Sequence, residues 1–224
     1  MALPEKTQSY RLGSKFLPGC VAVLAAFSVF FLVALQPAAG EWMAAHLVLV
    51  PGLAFGKQPW RFVTGPLLVQ SPFTLLFLFF LMWSVGAAIE QRIGARRMVL
   101  FGVVVLFVAS FTAGVCGLCI GWLAKTGSLR PTLMEAGPIF SMCFLAFGKL
   151  YGGLTMKLWG VPQTTSGRTL AWFFIGVGLV AHLLRGEWEL LCADIVTLVV
   201  TAALLRNQGG RPVLVRPRSP NWLN

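Results

Sequence analysis

Charge is what this sequence has least of. Asp and Glu number seven and Lys and Arg eighteen in 224 residues, so 11% of the chain is charged and 57% is hydrophobic. A mean hydropathy of +0.80 excludes a single water-soluble core of this size. The formal charge of +11 therefore belongs to loops and tails. With no compact basic domain to carry it, nucleic-acid binding is excluded as well. Cysteines are few, and Cys20, Cys116, Cys119, Cys143 and Cys192 all lie in or beside apolar runs. A thiol there acts as a small hydrophobe, which argues against a disulfide framework. Cys116 and Cys119 form a C-x-x-C with no second pair and no histidine at zinc-ligand spacing, so no metal or redox site is expected. The sequence also lacks a glycine-rich phosphate loop, a haem motif and a visible internal repeat. No cofactor is expected.

What the chain has in quantity is long apolar runs. A bilayer core of about 30 Å asks for roughly 20 helical residues per crossing. Six stretches approach that demand, at about 19–38, 72–90, 98–123, 135–150, 169–184 and 188–205. The fold class they predict is an all-α polytopic membrane protein with a six-helix membrane domain over 19–205. A basic tail precedes it over 1–18 and a flexible basic tail follows over 206–224. The opening residues MALPEKTQSYRLGSKFLPGC show no small-residue cleavage site before the first run, so that run is expected to stay.

Lys and Arg alternate between successive aqueous segments. Thirteen fall on one side: Lys6, Arg11, Lys15, Arg92, Arg96, Arg97, Lys149, Lys157, Arg168, Arg206, Arg211, Arg216 and Arg218. Five fall on the other: Lys57, Arg61, Lys125, Arg130 and Arg185. Positive charge is retained in the cytoplasm, so the split predicts six crossings with both termini cytoplasmic. It also fits a bacterial inner membrane, the expected location.

Between about 39 and 71 the chain is too apolar for a solvated loop yet is broken by Pro51, Gly52, Pro59, Gly65 and Pro66. It should lie partly in the interface, where Trp42 and Trp60 can keep the ring in acyl chain and the N–H in water. Among the acids, Asp194 stands out because it falls inside the sixth stretch, where a carboxylate must be paired, neutralised or facing water. Thr197 and Thr201 follow at helical spacing and share its face, a polar stripe that also suits close helix packing. Glu90, beside Arg92, Arg96 and Arg97, reads as an anchoring ion pair. His46 and His182 read as hydrogen-bonded bystanders near the interfaces.

Three blocks in a fixed order resemble the rhomboid family of intramembrane serine proteases and their inactive relatives. Pro59-Trp60-Arg61-Phe62-Val63-Thr64 is similar to the Trp-Arg-x-x-Thr element of the family's membrane-embedded first loop. Gly86, Glu90 and Gly94, in GAAIEQRIG, are similar to the signature at the cytoplasmic end of its second helix. Gly137-Pro138-Ile139-Phe140-Ser141-Met142 is similar to the start of its fourth helix. The blocks organise residues 59 to about 145, and the sixth stretch adds a weaker match. The resemblance implies a six-helix rhomboid-like bundle.

Departures from the protease pattern set the functional expectation. The position matching the family's catalytic serine is Ala136, and that matching its histidine is Asp194. The glycines that follow the histidine are matched by Thr197 and Thr201, and two oxyanion-stabilising positions by Thr74 and Leu78. A nucleophilic mechanism needs an activated hydroxyl within reach of a base, and Ala136 supplies none. The expectation is a pseudoprotease that binds transmembrane client helices without cutting them. Membrane lipids and client helices would be its partners, and Asp194, Thr197, Thr201, Gly137, Trp60 and Arg61 would line its binding region. Two alternatives stay open: a protease with Ser141 as displaced nucleophile, and a small transporter using Asp194.

Overall fold

A computed structural model describes residues 17–123, 132, 134–153, 155–157 and 164–206. The expected amino-terminal tail up to residue 16 and the carboxyl tail from 207 lie outside the described residues. The regular structure of the described chain is helical apart from one short hairpin, β1 (Thr155–Lys157) paired antiparallel with β2 (Thr164–Ser166), and an isolated bridge between Leu49 and Thr132.

Prolines punctuate the first half. α1 (Pro18–Ala34) and α2 (Pro37–His46) each start on a proline, whose fixed φ suits the first helical turn but cannot continue a preceding helix. The chain therefore bends by 116° between them, so the first apolar stretch ends at Ala34 and not near residue 38. Short turns follow: α3 (Pro51–Ala54), α4 (Arg61–Thr64) and a 3-10 turn at Gly65–Leu67. α5 (Pro72–Leu81) runs through a π turn at Met82–Gly86 into α6 (Ala87–Ile93). Gly94, at φ +89°, then turns the chain into α7 (Ala95–Leu123), the longest helix.

α8 (Gly137–Tyr151) is buried almost all round, with Ser141 through Gly148 forming an unbroken buried run. At 1.5 Å per residue it is about 22 Å long, shorter than a bilayer core, and it packs against α9 (Gly167–Arg185) and α10 (Trp188–Leu204). Glycine sets how close α8 and α9 come: a Cβ on Gly148 would meet the Ala171 methyl at 2.7 Å. α7 is the other hub, in contact with α10, α1, α3 and α4.

The outside of this bundle is apolar and the inside holds its polar groups. Phe73, Leu76, Phe80, Trp122, Leu184 and Val199 are exposed, while Arg61, Glu90, Ser110, Asp194, Thr197 and Thr201 are buried. That arrangement suits a solvent of acyl chains. By length and composition Pro72–Ile93, Ala95–Leu123 and Gly167–Arg185 can each cross a membrane, and α1 with α2 makes a fourth, bent candidate.

Candidate functional site

The intramembrane acid has a partner. α9 ends at Gly186, whose left-handed φ of +69° lets the backbone N–H of Glu187 donate to the carbonyl of His182 at 3.0 Å. This tight turn folds α10 back along α9. His182, on the last turn of α9, is thereby placed between two carboxylates: its Nδ1 lies 2.9 Å from Glu187 Oε2 and its Nε2 3.5 Å from Asp194 Oδ2. In the sequence His182 reads as a bystander because it is a lone histidine near an interface, with nothing to show that the chain turns it toward Asp194, twelve positions on. The signal that could have found it is the glycine at 186, which makes a hairpin of two adjacent apolar stretches.

Below Asp194, Thr197 and Thr201 are fully buried, and neither hydroxyl has a hydrogen-bond partner among the described residues. A threonine inside a helix commonly donates to the carbonyl one turn back. Ser110 and Thr112 on α7 do so, at 2.8 and 2.9 Å. The α10 hydroxyls do not, which leaves a polar stripe beneath a paired acid.

The other predicted residues form separate groups. Arg61 is buried and its guanidinium donates to the Gln58 side chain and to the carbonyls of Val48 and Ala45. Trp60 Nε1 donates to the His46 carbonyl at 3.2 Å, and Thr64 Oγ1 donates to the Leu47 carbonyl at 3.1 Å. The Trp-Arg-x-x-Thr block thus ties the first loop to the end of α2 and the residues after it, and the loop rests on α7. There the absence of side chains at Gly114 and Gly117 leaves room for Phe55, Phe62 and Pro51. Trp60 is half-exposed and available to the interface.

Glu90 does not make the ion pair expected of it. Its carboxylate accepts from the backbone N–H groups of Gly19 at 2.8 Å and Cys20 at 2.7 Å, capping α1 from another helix. The first N–H groups of a helix lack intrahelical partners and carry its positive dipole end, so they hold a carboxylate better than an exposed arginine does. Gly86 sits against Cys20 in the same contact. Arg92 instead donates to the Leu150 carbonyl at 2.6 Å.

At the start of α8, Ala136 is fully buried in the N-cap position and offers no side-chain cap. Glu135 before it has φ +44°, a strained value for a residue with a side chain, and its carboxylate accepts from Thr74 Oγ1 at 2.9 Å. Leu78, one turn along α5, is wholly buried. A Cβ on Gly137 would meet nothing within 4 Å. Ser141 lies on α8 and makes no hydrogen bond to a histidine or a carboxylate among the described residues. Among the described residues no cluster of His, Cys, Asp and Glu could hold a metal ion.

An apolar exterior, buried polar groups and membrane-length helices define a multi-pass integral membrane protein. A family model described as "Eukaryotic integral membrane protein (DUF1751)" matches residues 18–201, and the chain belongs to that family. No curated protein matches it. The family description overturns the expected bacterial inner membrane. The physical reason for the error is plain: the positive-inside bias operates in bacterial and eukaryotic membranes alike, so an Arg and Lys count reads orientation and not host.

Proposed function

We propose that this protein is a rhomboid-like pseudoprotease of six crossings that holds transmembrane segments of other membrane proteins without cleaving them. The observation that carries this reading is the identity of two positions. Where a rhomboid protease's nucleophile would stand there is a buried methyl group, Ala136, and where its base would stand there is an acid, Asp194, in contact with His182. Acyl transfer needs a nucleophile and a base in contact. The unpartnered hydroxyls of Thr197 and Thr201 support a binding role, since a polar group on a client helix that enters by parting α10 from its neighbours could satisfy them. Ser141 as a displaced nucleophile is less well supported, because no histidine or carboxylate among the described residues hydrogen-bonds to it.

The test joins labelling to crosslinking. The purified protein is exposed to a serine-reactive fluorophosphonate beside Ser141→Ala and an active rhomboid protease, and a photoreactive residue at Ile195, exposed beside Asp194, is activated in native membranes. Absence of labelling together with crosslinks to membrane proteins is the expected result. Labelling lost in Ser141→Ala would sink the non-catalytic reading, and crosslinks to lipid alone would sink client binding.

A further inference from the structure

An apolar groove of about 170 Å³ runs between α1 and α7, bounded by Ala22, Val23 and Phe27 on one side and Gly102, Val103 and Phe107 on the other. Small residues open it. A Cβ built on Gly102 would touch only the tip of Ile139, at 3.6 Å, so the space there is free. Val103 is half-exposed, which leaves the groove open sideways to the surrounding solvent. A helix is about 10–12 Å across and does not fit such a slot. The upper part of a single acyl chain does.

One end of the groove is basic. Gly19 of α1 packs on the backbone of Ala95, so the N-termini of α1 and α7 lie together there. Arg96, Val99, Val103 and Phe107 fall within about 80° of one another around α7, which puts Arg96 at the head of the stripe that lines the groove. Arg96 is exposed and makes no hydrogen bond or ion pair among the described residues. It stands about 10 Å along the axis from Val103, a fitting distance between a phosphate and the upper part of its acyl chain. The same end of the bundle carries Arg92, Lys149, Arg168 and Arg206, gathered by the contacts of Arg92 with Leu150, Lys149 with Ala202 and Gly152 with Arg168. Among the described residues the acid at this end, Glu90, is buried on the α1 amides and turned away from that charge.

We infer that the α1–α7 groove binds one acyl chain of an anionic glycerophospholipid whose headgroup phosphate is held by Arg96. The pairing of an apolar slot with a basic mouth selects lipid by charge at one end and by width along its length.

Native mass spectrometry of the full chain, released from detergent after equilibration with equal dioleoyl phosphatidylserine and dioleoyl phosphatidylcholine, reads the proposal directly. Retained lipid should favour phosphatidylserine, and Arg96→Gln should lower that preference about fivefold while lipid is still retained. Gly102→Leu should fill the slot and abolish retention of both. Should that variant fail to fold, Val103→Trp, at an already exposed position, tests the same occupancy. Equal retention of the two lipids, or a preference untouched by Arg96→Gln, overturns the phosphate contact. Retention unchanged by filling the slot overturns the acyl-chain site, as does a photoreactive residue at Val103 that crosslinks to protein and not to lipid.

Discussion

Thr197 and Thr201 hold buried hydroxyls that donate to nothing among the described residues. An unsatisfied buried polar group costs about 1–3 kcal/mol, whereas removing it with its shape preserved costs little. Thr197→Val should therefore leave thermal stability in detergent unchanged or raise it, while reducing client crosslinking at Ile195. A clear fall in melting temperature would mean that the hydroxyl has a partner, and the stripe would then be structural. At this scale the sequence was informative about Asp194, because a charge among apolar residues is conspicuous. It was silent about His182, whose pairing depends on a turn. It misled about Glu90, because nearby arginines are visible in a string of letters and the open amides of a distant helix are not.

Among the elements, the first loop is held by polar bonds more than by regular structure. α3 and α4 are single turns, and one guanidinium reaches three acceptors across the loop. Lysine carries the charge but lacks the planar fork. Arg61→Lys should lose at least one charge-assisted bond, about 1.5–3 kcal/mol each, and speed trypsin cleavage at exposed Lys57. An unchanged digestion rate would show that the loop is held from elsewhere. The long helices were legible because an apolar run has few ways to satisfy its backbone in lipid. The bend after Ala34 was less so: Pro37 marks a break, but only packing sets its angle. The short turns between 51 and 67 carry no period for a reader to detect.

For the whole molecule, the measurable quantity is the orientation of its ends. Six proposed crossings place the two tails on the same side, and the basic residues gathered at one end of the bundle agree with a cytoplasmic side. Cysteines introduced in each tail of a variant lacking native thiols should both react with an impermeant maleimide only from the cytoplasmic face. Reaction from opposite faces would require an odd number of crossings. An all-α membrane protein was readable at this scale from hydropathy alone, whereas only three or four membrane-length spans appear among the described residues and the host membrane was not legible, since charge asymmetry is common to both kinds of cell.

The π turn at Met82–Gly86 gives the second membrane helix slack. Such a turn accommodates one residue beyond what an α-helix needs, while the segments on either side keep their angular phase. Ser84, within it, donates to the Phe80 carbonyl of its own helix at 2.8 Å. Deleting Ser84 should let the turn relax to a regular one and leave Glu90 aimed at the α1 amides. Deleting Val104 from α7, which has no such turn, should rotate all that follows by about 100° and unseat its packing. One helix of this protein can lose a step and stay in phase, and its neighbour cannot.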